Sequence, residues 1–472
     1  MWKYFLLQAI FFIGVNTICP AQENKIISEF KNSKALSNAI IGICIQDVNG
    51  KEIVSVNKNI SVTPASVLKI VTTATALELL GPNYRFKTEL LADNKDKLII
   101  RGLGDPTLGS EHFNAKNNNF LNEWVGKIQN KFSSGVTEIE VDDSYFGYDG
   151  VSQKWIREDI GNYYAAGSYG ISIFDNSYKL YFNTSNKKSP PDILKTEPEM
   201  PDIVFTNTLT LNSTGKDNGY IIGEPFSNKR ILTGNIPSGR AAFSIKGDIP
   251  DPGLFLAKIL AKLLSKNGNT PHFYTSRTAN ATVNIHEGEV FYTHLSPTLK
   301  EIIRVINVKS NNHYAEHLIR IIGKPENNGV AKSDPLENGL DIINKYWQGK
   351  GLDTGSLFMY DGCGLSPSNA ISPQLMCNIL GYMYCKSKNS EAFFASFPKA
   401  GEEGTVRNFL KGSNLQGKVF VKSGSIANVQ CYSGYYIDGE KKYVFSVMVN
   451  NFRKDTRREV VKAIETLLLG IL

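Results

Sequence analysis

Three short constellations in the chain carry side chains able to attack a carbonyl and move protons. The first is Ser66-Val67-Leu68-Lys69. Ser66 opens an apolar, Ala- and Leu-rich run that reaches Leu80 and stops at Gly81-Pro82, so the run reads as a buried helix with its stop signal. Thr63 is expected to cap that helix, with Pro64 in its first turn. At a spacing of three, the Ser66 hydroxyl and the Lys69 amine would share one helix face. A lysine desolvated by burial loses proton affinity and can serve as base for a neighbouring hydroxyl. Free N–H groups at the helix N-terminus would sit where an oxyanion develops. Ser-x-x-Lys also occurs at Ser55–Lys58, Ser185–Lys188 and Ser396–Lys399. The first two lie in polar, turn-like stretches and the third contains Pro398, so only Ser66 opens a long apolar helix.

The second constellation is Ser310-Asn311-Asn312, at the start of an amphipathic segment. A hydroxyl with an amide two residues later can relay a proton and hold a substrate carbonyl, although Ser-x-Asn recurs at Ser265 and Ser387. The third is Lys422-Ser423-Gly424-Ser425, leading into a strand. A lysine beside two hydroxyls can bind a carboxylate, and Gly424 lets another backbone approach closely.

The elements that must position these groups are legible in outline. Ile40 to Val56 reads as a hairpin turning at Asn49-Gly50. Short strands and turns begin near Arg85. A polar, β-rich stretch runs from about Phe174 to Gly247, with strand-like Ile203–Thr206 and Leu209–Asn212. A helix is expected at Pro252–Leu264 and a strand at Ala281–Ile285. Two amphipathic helices follow, Leu299–Asn307 and Asn311–Ile322, with another near Pro373–Cys385. Strands Gln430–Ile437 and Tyr443–Asn450, and a helix Arg457–Leu469, complete the chain. Hairpin, C-terminal strands and C-terminal helix imply one mixed domain whose sheet uses both chain ends, with the β-rich middle inserted.

At 472 residues the chain exceeds one ordinary core. Its net charge of +7 is spread along the sequence, which favours a solvated surface and gives no support to nucleic-acid binding. Met1-Trp2-Lys3, an apolar run Tyr4–Val15 and Cys19-Pro20-Ala21 read as a secretory leader cut after Ala21. That run is short for a membrane span, no later one is long enough, and a lipid on Cys19 is a lesser alternative beside bulky Ile18. Beyond the leader stand Cys44, Cys363, Cys377, Cys385 and Cys431, so at least one thiol is free. Cys377 and Cys385 are too far apart along one helix to bridge.

In this order the three constellations resemble the Ser-x-x-Lys, Ser-x-Asn and Lys-Thr/Ser-Gly set of penicillin-binding proteins and serine β-lactamases. The wide gap between Ser66 and Ser310 is similar to the D-alanyl-D-alanine carboxypeptidase/endopeptidases of peptidase family S13, the low-molecular-mass class C penicillin-binding proteins. Gly102–Leu108, Asp361-Gly362-Cys363-Gly364-Leu365-Ser366, Gly404-Thr405-Val406 and Ser433-Gly434-Tyr435 also look like that family's segments. Cys363 stands where it has serine, and Ser423 where threonine is commoner.

The resemblance implies an α+β, multidomain fold: a penicillin-binding domain with an antiparallel sheet flanked by helices, and a large β-rich insertion. Residues 1–21 would be the signal peptide, and 25–85 with 286–472 the penicillin-binding domain. Residues 86–173 with 248–285 would form the inserted domain, and 174–247 a small β-rich subdomain nested in it. It also implies an exported protein, periplasmic or secreted and at most loosely membrane-associated. Peptidoglycan stem peptides would be its substrates and β-lactams its covalent inhibitors, with neither cofactor nor metal. Ser66 would be nucleophile, Lys69 base, and Ser310 with Lys422 the proton relay to the departing amine. Asn312 would bind the acyl-side amide. Ser423, Gly424 and Ser425 would line the carboxylate and oxyanion subsites, and Asp159 would read an amino group on the stem peptide.

Three alternatives remain at this point: a non-catalytic wall-binding or β-lactam-sensing protein on the same fold, a secreted β-lactamase, and a zinc peptidase. The zinc reading rests on His313-Tyr314-Ala315-Glu316-His317, a His-x-x-Glu-His pattern that puts both rings on one helix face with Glu316 as base.

Overall fold

The computed structural model describes residues 20–93, 96–113, 119–266, 268–277, 288–324 and 334–472, with side chains from residue 25 onward. Most of the leader, Cys19 included, and the strand expected at Ala281–Ile285 lie outside the described residues.

The sheet that carries the site joins the two ends of the chain. Its strands run in the order Val419–Ile426, Val429–Asp438, Lys441–Asn450, Ile40–Asp47 and Glu52–Val56, all antiparallel. Ile40 pairs with Asn450 and Asp47 with Tyr443, so the N-terminal hairpin depends on residues about 400 positions away. Both faces of the sheet are covered, and side chains alternate between two cores. Ile41, Ile43 and Ile45 join Val447, Val449, Val460 and Ile464, under the helices Pro20–Lys31 and Arg457–Ile471. Cys44 and Met448 point the other way, into a core shared with Val71, Met376 and Leu380 from the helices Lys69–Leu80 and Pro373–Cys385. Each fully buried Ile or Val of this kind contributes about 1.5–3 kcal/mol.

A second five-stranded sheet follows the order His272–Ser276, Glu138–Asp142, Lys97–Gly102, Lys87–Ala92, Glu289–Leu295. Its core includes Trp124 and Ile128 from the helix Phe120–Lys131 and Leu256 and Leu260 from Pro252–Leu264. Glu289–Leu295 is an edge strand of this sheet, pairing antiparallel with Lys87–Ala92. Within the stretch 174–248, Ser177–Asn183 pairs with Asp192–Glu197 and Phe243–Asp248, while Lys229–Pro237 gathers three further strands. These close over their own core of Tyr178, Leu180, Ile221, Leu232 and Ile236.

The helix expected to open at Ser66 starts later and is entered differently. Ser66 lies in a 3-10 turn, Ala65–Leu68, and the α-helix proper begins at Lys69. Thr63 does not cap it; its hydroxyl donates to the Pro367 carbonyl at 3.3 Å, and its backbone exchanges two hydrogen bonds with the Asn450 side chain. Pro64 precedes the turn instead of filling its first position. Ala65 takes a left-handed φ of 49°, uncommon for a residue with a side chain, immediately before Ser66.

Candidate active site

Three elements converge on Lys69. The turn and helix beginning at Ala65 supply Ser66 and Lys69, and the junction of the helices Leu299–Lys309 and Asn312–Ile322 supplies Ser310 and Asn312. Ser310 holds a left-handed φ of 58°, which ends one helix and lets Asn311 cap the next by accepting from the Tyr314 N–H. The edge strand Val419–Ile426 brings Lys422 to Ser425 alongside.

Lys69 Nζ is fully buried and sits 2.8 Å from Ser66 Oγ, 2.7 Å from Asn312 Oδ1 and 2.6 Å from the Cys363 carbonyl. These contacts match an ammonium donating three bonds. They equally match a neutral amine that donates to the two carbonyl-type oxygens and accepts from Ser66 through its lone pair. Burial lowers the proton affinity of Lys69, partly opposed by the neighbouring Cys363, Asp361 and Glu316. The second form can therefore take the Ser66 proton directly.

Lys422 is also fully buried, donating to Ser310 Oγ at 2.9 Å and to the Ser423 carbonyl at 2.7 Å. Burial and the nearby Lys69 push its affinity for a proton far down. Ser423 Oγ lies 2.8 Å from Thr405 Oγ1, and Ser425 Oγ accepts from Arg457. Gly424 packs on the turn before the helix: a Cβ there would lie 2.5 Å from the Pro64 carbonyl and 3.0 Å from the Ser66 nitrogen. The close approach that needs a glycine is thus to the Ser66 backbone within the protein.

Asn312 Nδ2 donates to the Tyr164 carbonyl at 2.7 Å, and the Tyr164 hydroxyl donates to Asp159 at 3.0 Å. Asp159 is therefore two links from Asn312 and three from Lys69, and burial raises its pKa. All nine site residues singled out from the sequence fall on these three elements or on the loop that carries Asp159 and Tyr164.

The loop that offers the Cys363 carbonyl is anchored from beneath. Glu316, fully buried, accepts from the Gly362 and Cys363 N–H groups at 2.7 and 2.9 Å and pairs with buried Arg320 at 2.8 Å. Asp361 accepts from the Gly364 and Ser366 N–H groups, Asn369 and the Trp155 indole. This geometry overturns the zinc reading. Glu316 points at that loop and at Arg320, while His317 contacts Ser172 Oγ and the His313 carbonyl at 2.9 Å each. Burial pushes the His317 pKa down to about 3. Cys363, Cys377, Cys44 and Cys431 are buried, and these and exposed Cys385 are all free thiols. Burial drives the Cys363 thiol pKa up, so its backbone carbonyl and not its sulfur serves the site.

Arg320, Tyr164 and Arg457 belong to no motif read from the sequence. Glu316 drew notice only through the histidines beside it, and Arg457 lies 32 positions from its partner Ser425.

A D-alanyl-D-alanine carboxypeptidase from Actinomadura sp. (strain R39) is 28% identical over 88% of this chain and 78% of its own length. Penicillin binding protein 4 from Haemophilus influenzae shares the fold at a TM-score of 0.77 and 20% identity, covering 94% of this chain and 98% of that one. The same protein complexed with a β-lactam gives a TM-score of 0.71 with equal identity and coverage. The profile of the D-Ala-D-Ala carboxypeptidase 3 (S13) family matches residues 23–469, so the chain belongs to that family.

Proposed function

We propose that this S13 carboxypeptidase works through an acyl-enzyme on Ser66, formed on the penultimate D-Ala carbonyl of a peptidoglycan stem peptide. The observation that carries the reading is the three-way hold on Lys69 Nζ by Ser66, Asn312 and Cys363. Lys69, as neutral amine, takes the Ser66 proton while Ser66 Oγ attacks the carbonyl. The backbone N–H groups of Ser66 and Ser425 receive the oxyanion, a contribution of about 3–4 kcal/mol per donor. Asn312 hydrogen-bonds the acyl-side amide. Ser310, in contact with Lys422, returns a proton to the departing D-alanine amine. The hydroxyls of Ser423 and Ser425 hold the terminal carboxylate. Water then hydrolyses the ester.

A β-lactam offers the same carbonyl in a ring whose leaving amine stays tethered, so it would leave a long-lived ester on Ser66. The relative crystallised with a β-lactam supports that reading. Asp159, joined to Asn312 through Tyr164, would read an amino group on the third stem residue. No described helix is long and apolar enough to cross a membrane, and an exported, periplasmic location fits a wall substrate.

The test is D-alanine release from a stem pentapeptide and cleavage of a crosslinked muropeptide, each with wild type and Ser66→Ala. Loss of both activities in the variant supports the assignment. Retained D-alanine release would remove Ser66 from it.

A further inference from the structure

Arg457 opens the helix Arg457–Ile471 and turns its guanidinium onto the end of the Lys422–Ser425 strand. Nη1 donates to Ser425 Oγ, and also to Gln430 Oε1 and the Val429 carbonyl at 3.1 Å each. Nη2 donates to the Ala427 carbonyl and, at 3.3 Å, to that of Ile426. Every one of these partners is neutral. Among the described residues no carboxylate forms an ion pair with this half-buried arginine, whereas Arg230, Arg277, Arg304 and Arg320 each have one. Its place at a helix N-terminus adds to the cost, because the helix dipole disfavours a cation there. A partly desolvated guanidinium without an anion is a standing electrostatic cost that an arriving anion would relieve.

The hydrogen-bond direction says how. A serine hydroxyl has one donor hydrogen and two acceptor lone pairs. Arginine can only donate, so Ser425 Oγ must accept from it and its own hydrogen is left for another acceptor. Ser423 has the matching support, its hydroxyl 2.8 Å from that of Thr405, which can donate to it. Both hydroxyls are thus backed by a further group, one of them charged.

We propose that Arg457 is a positioning residue for the terminal carboxylate of the substrate, acting through the Ser425 hydroxyl. It fixes that hydroxyl as a donor and, through its positive charge, strengthens it by polarisation. The proposal rests on the acyl-Ser66 reading above.

The test compares acylation rates of benzylpenicillin, which carries a carboxylate, and its methyl ester, which does not, in wild type, Arg457→Gln, Arg457→Lys, Ser425→Ala and the Ser425→Ala/Arg457→Gln double variant. Arg457→Gln should slow the acid about 10- to 100-fold and change the ester by less than about threefold, the loss of one charge-assisted bond. Arg457→Lys should recover part of the acid rate, since it keeps the charge without the fork. The double variant should be no slower on the acid than Ser425→Ala alone, because Arg457 acts through that hydroxyl.

A purely structural arginine, tying down the turn after Ser425, would slow acid and ester equally, and that result overturns the proposal. Should Arg457→Gln fail to fold, Arg457→Lys carries the same comparison, and an equal fall there overturns it as well. A wild-type protein acylated by neither compound would bring down the acyl-serine reading and this proposal together. Equal falls in a protein that is readily acylated would remove only Arg457.

Discussion

Replacing Glu316 with alanine removes one side chain and strands three donors at once. The N–H groups of Gly362 and Cys363 lose their acceptor, and Arg320, only 1% exposed, loses its counter-ion. Each orphaned buried N–H costs about 1–3 kcal/mol, and a buried charge left without its partner about 3–5 kcal/mol. The terms overlap, because the loop can shift and water can reach the cavity, so we expect a net loss near 4 kcal/mol. At about 2–4 °C per kcal/mol for a domain of this size, Tm should fall by about 8–16 °C. Glu316→Gln keeps an acceptor for the two N–H groups but leaves Arg320 unpaired, and should lose most of the same amount, about 3 kcal/mol. Because the same loop presents the Cys363 carbonyl to Lys69, penicillin acylation should slow in both variants under conditions where they remain folded. Calorimetry and stopped-flow acylation read the two effects. A Glu316→Ala protein within about 1 kcal/mol of wild type and acylating normally would refute this account of how the loop is held.

Two further outcomes follow from the same geometry. Since burial lowers the Lys69 pKa, its neutral, basic form is populated at lower pH than for a free lysine. Acylation of Ser66 should therefore rise as pH climbs through that lowered pKa and level off below the ordinary lysine range, in a pH series of acylation rates. A rise that begins only at the pKa of free lysine would contradict Lys69 as base. In Gly424→Ala the added methyl would meet the Pro64 carbonyl and the Ser66 nitrogen at 2.5 and 3.0 Å, pushing strand and nucleophile apart. Acylation should fall about 100-fold for a displacement near 1 Å, while far-UV circular dichroism stays native; an unchanged rate would mean that this contact does not set the site.

The elements that carry their own signal were legible in the sequence. The hairpin Ile40–Val56, the helix Pro373–Cys385 and the strand pair ending at Asn450 match expectation to within a few residues, because alternation, stop signals and turn residues are local. The Ser66, Ser310 and Lys422 constellations come together although only their order along the chain announced it. What stayed hidden is what tertiary contact decides. The 3-10 turn at Ala65–Leu68 is set by packing against Gly424 and Gly364, whose missing side chains leave room for it. Glu316 next to two histidines suggested zinc, yet its carboxylate serves backbone N–H groups from a loop 46 and 47 positions away. Arg457 belongs to no motif and reaches Ser425 only because helix and edge strand end side by side.

The central claim is that Ser66 alone becomes acylated, with Lys69 and no metal as its activator. Intact mass after brief exposure to benzylpenicillin, with and without chelator, tests it most directly in wild type and Ser66→Ala. The account predicts one drug molecule bound to wild type, indifferent to chelator, and none bound to Ser66→Ala. An adduct on the Ser66→Ala protein, or one that disappears with chelator, would contradict it.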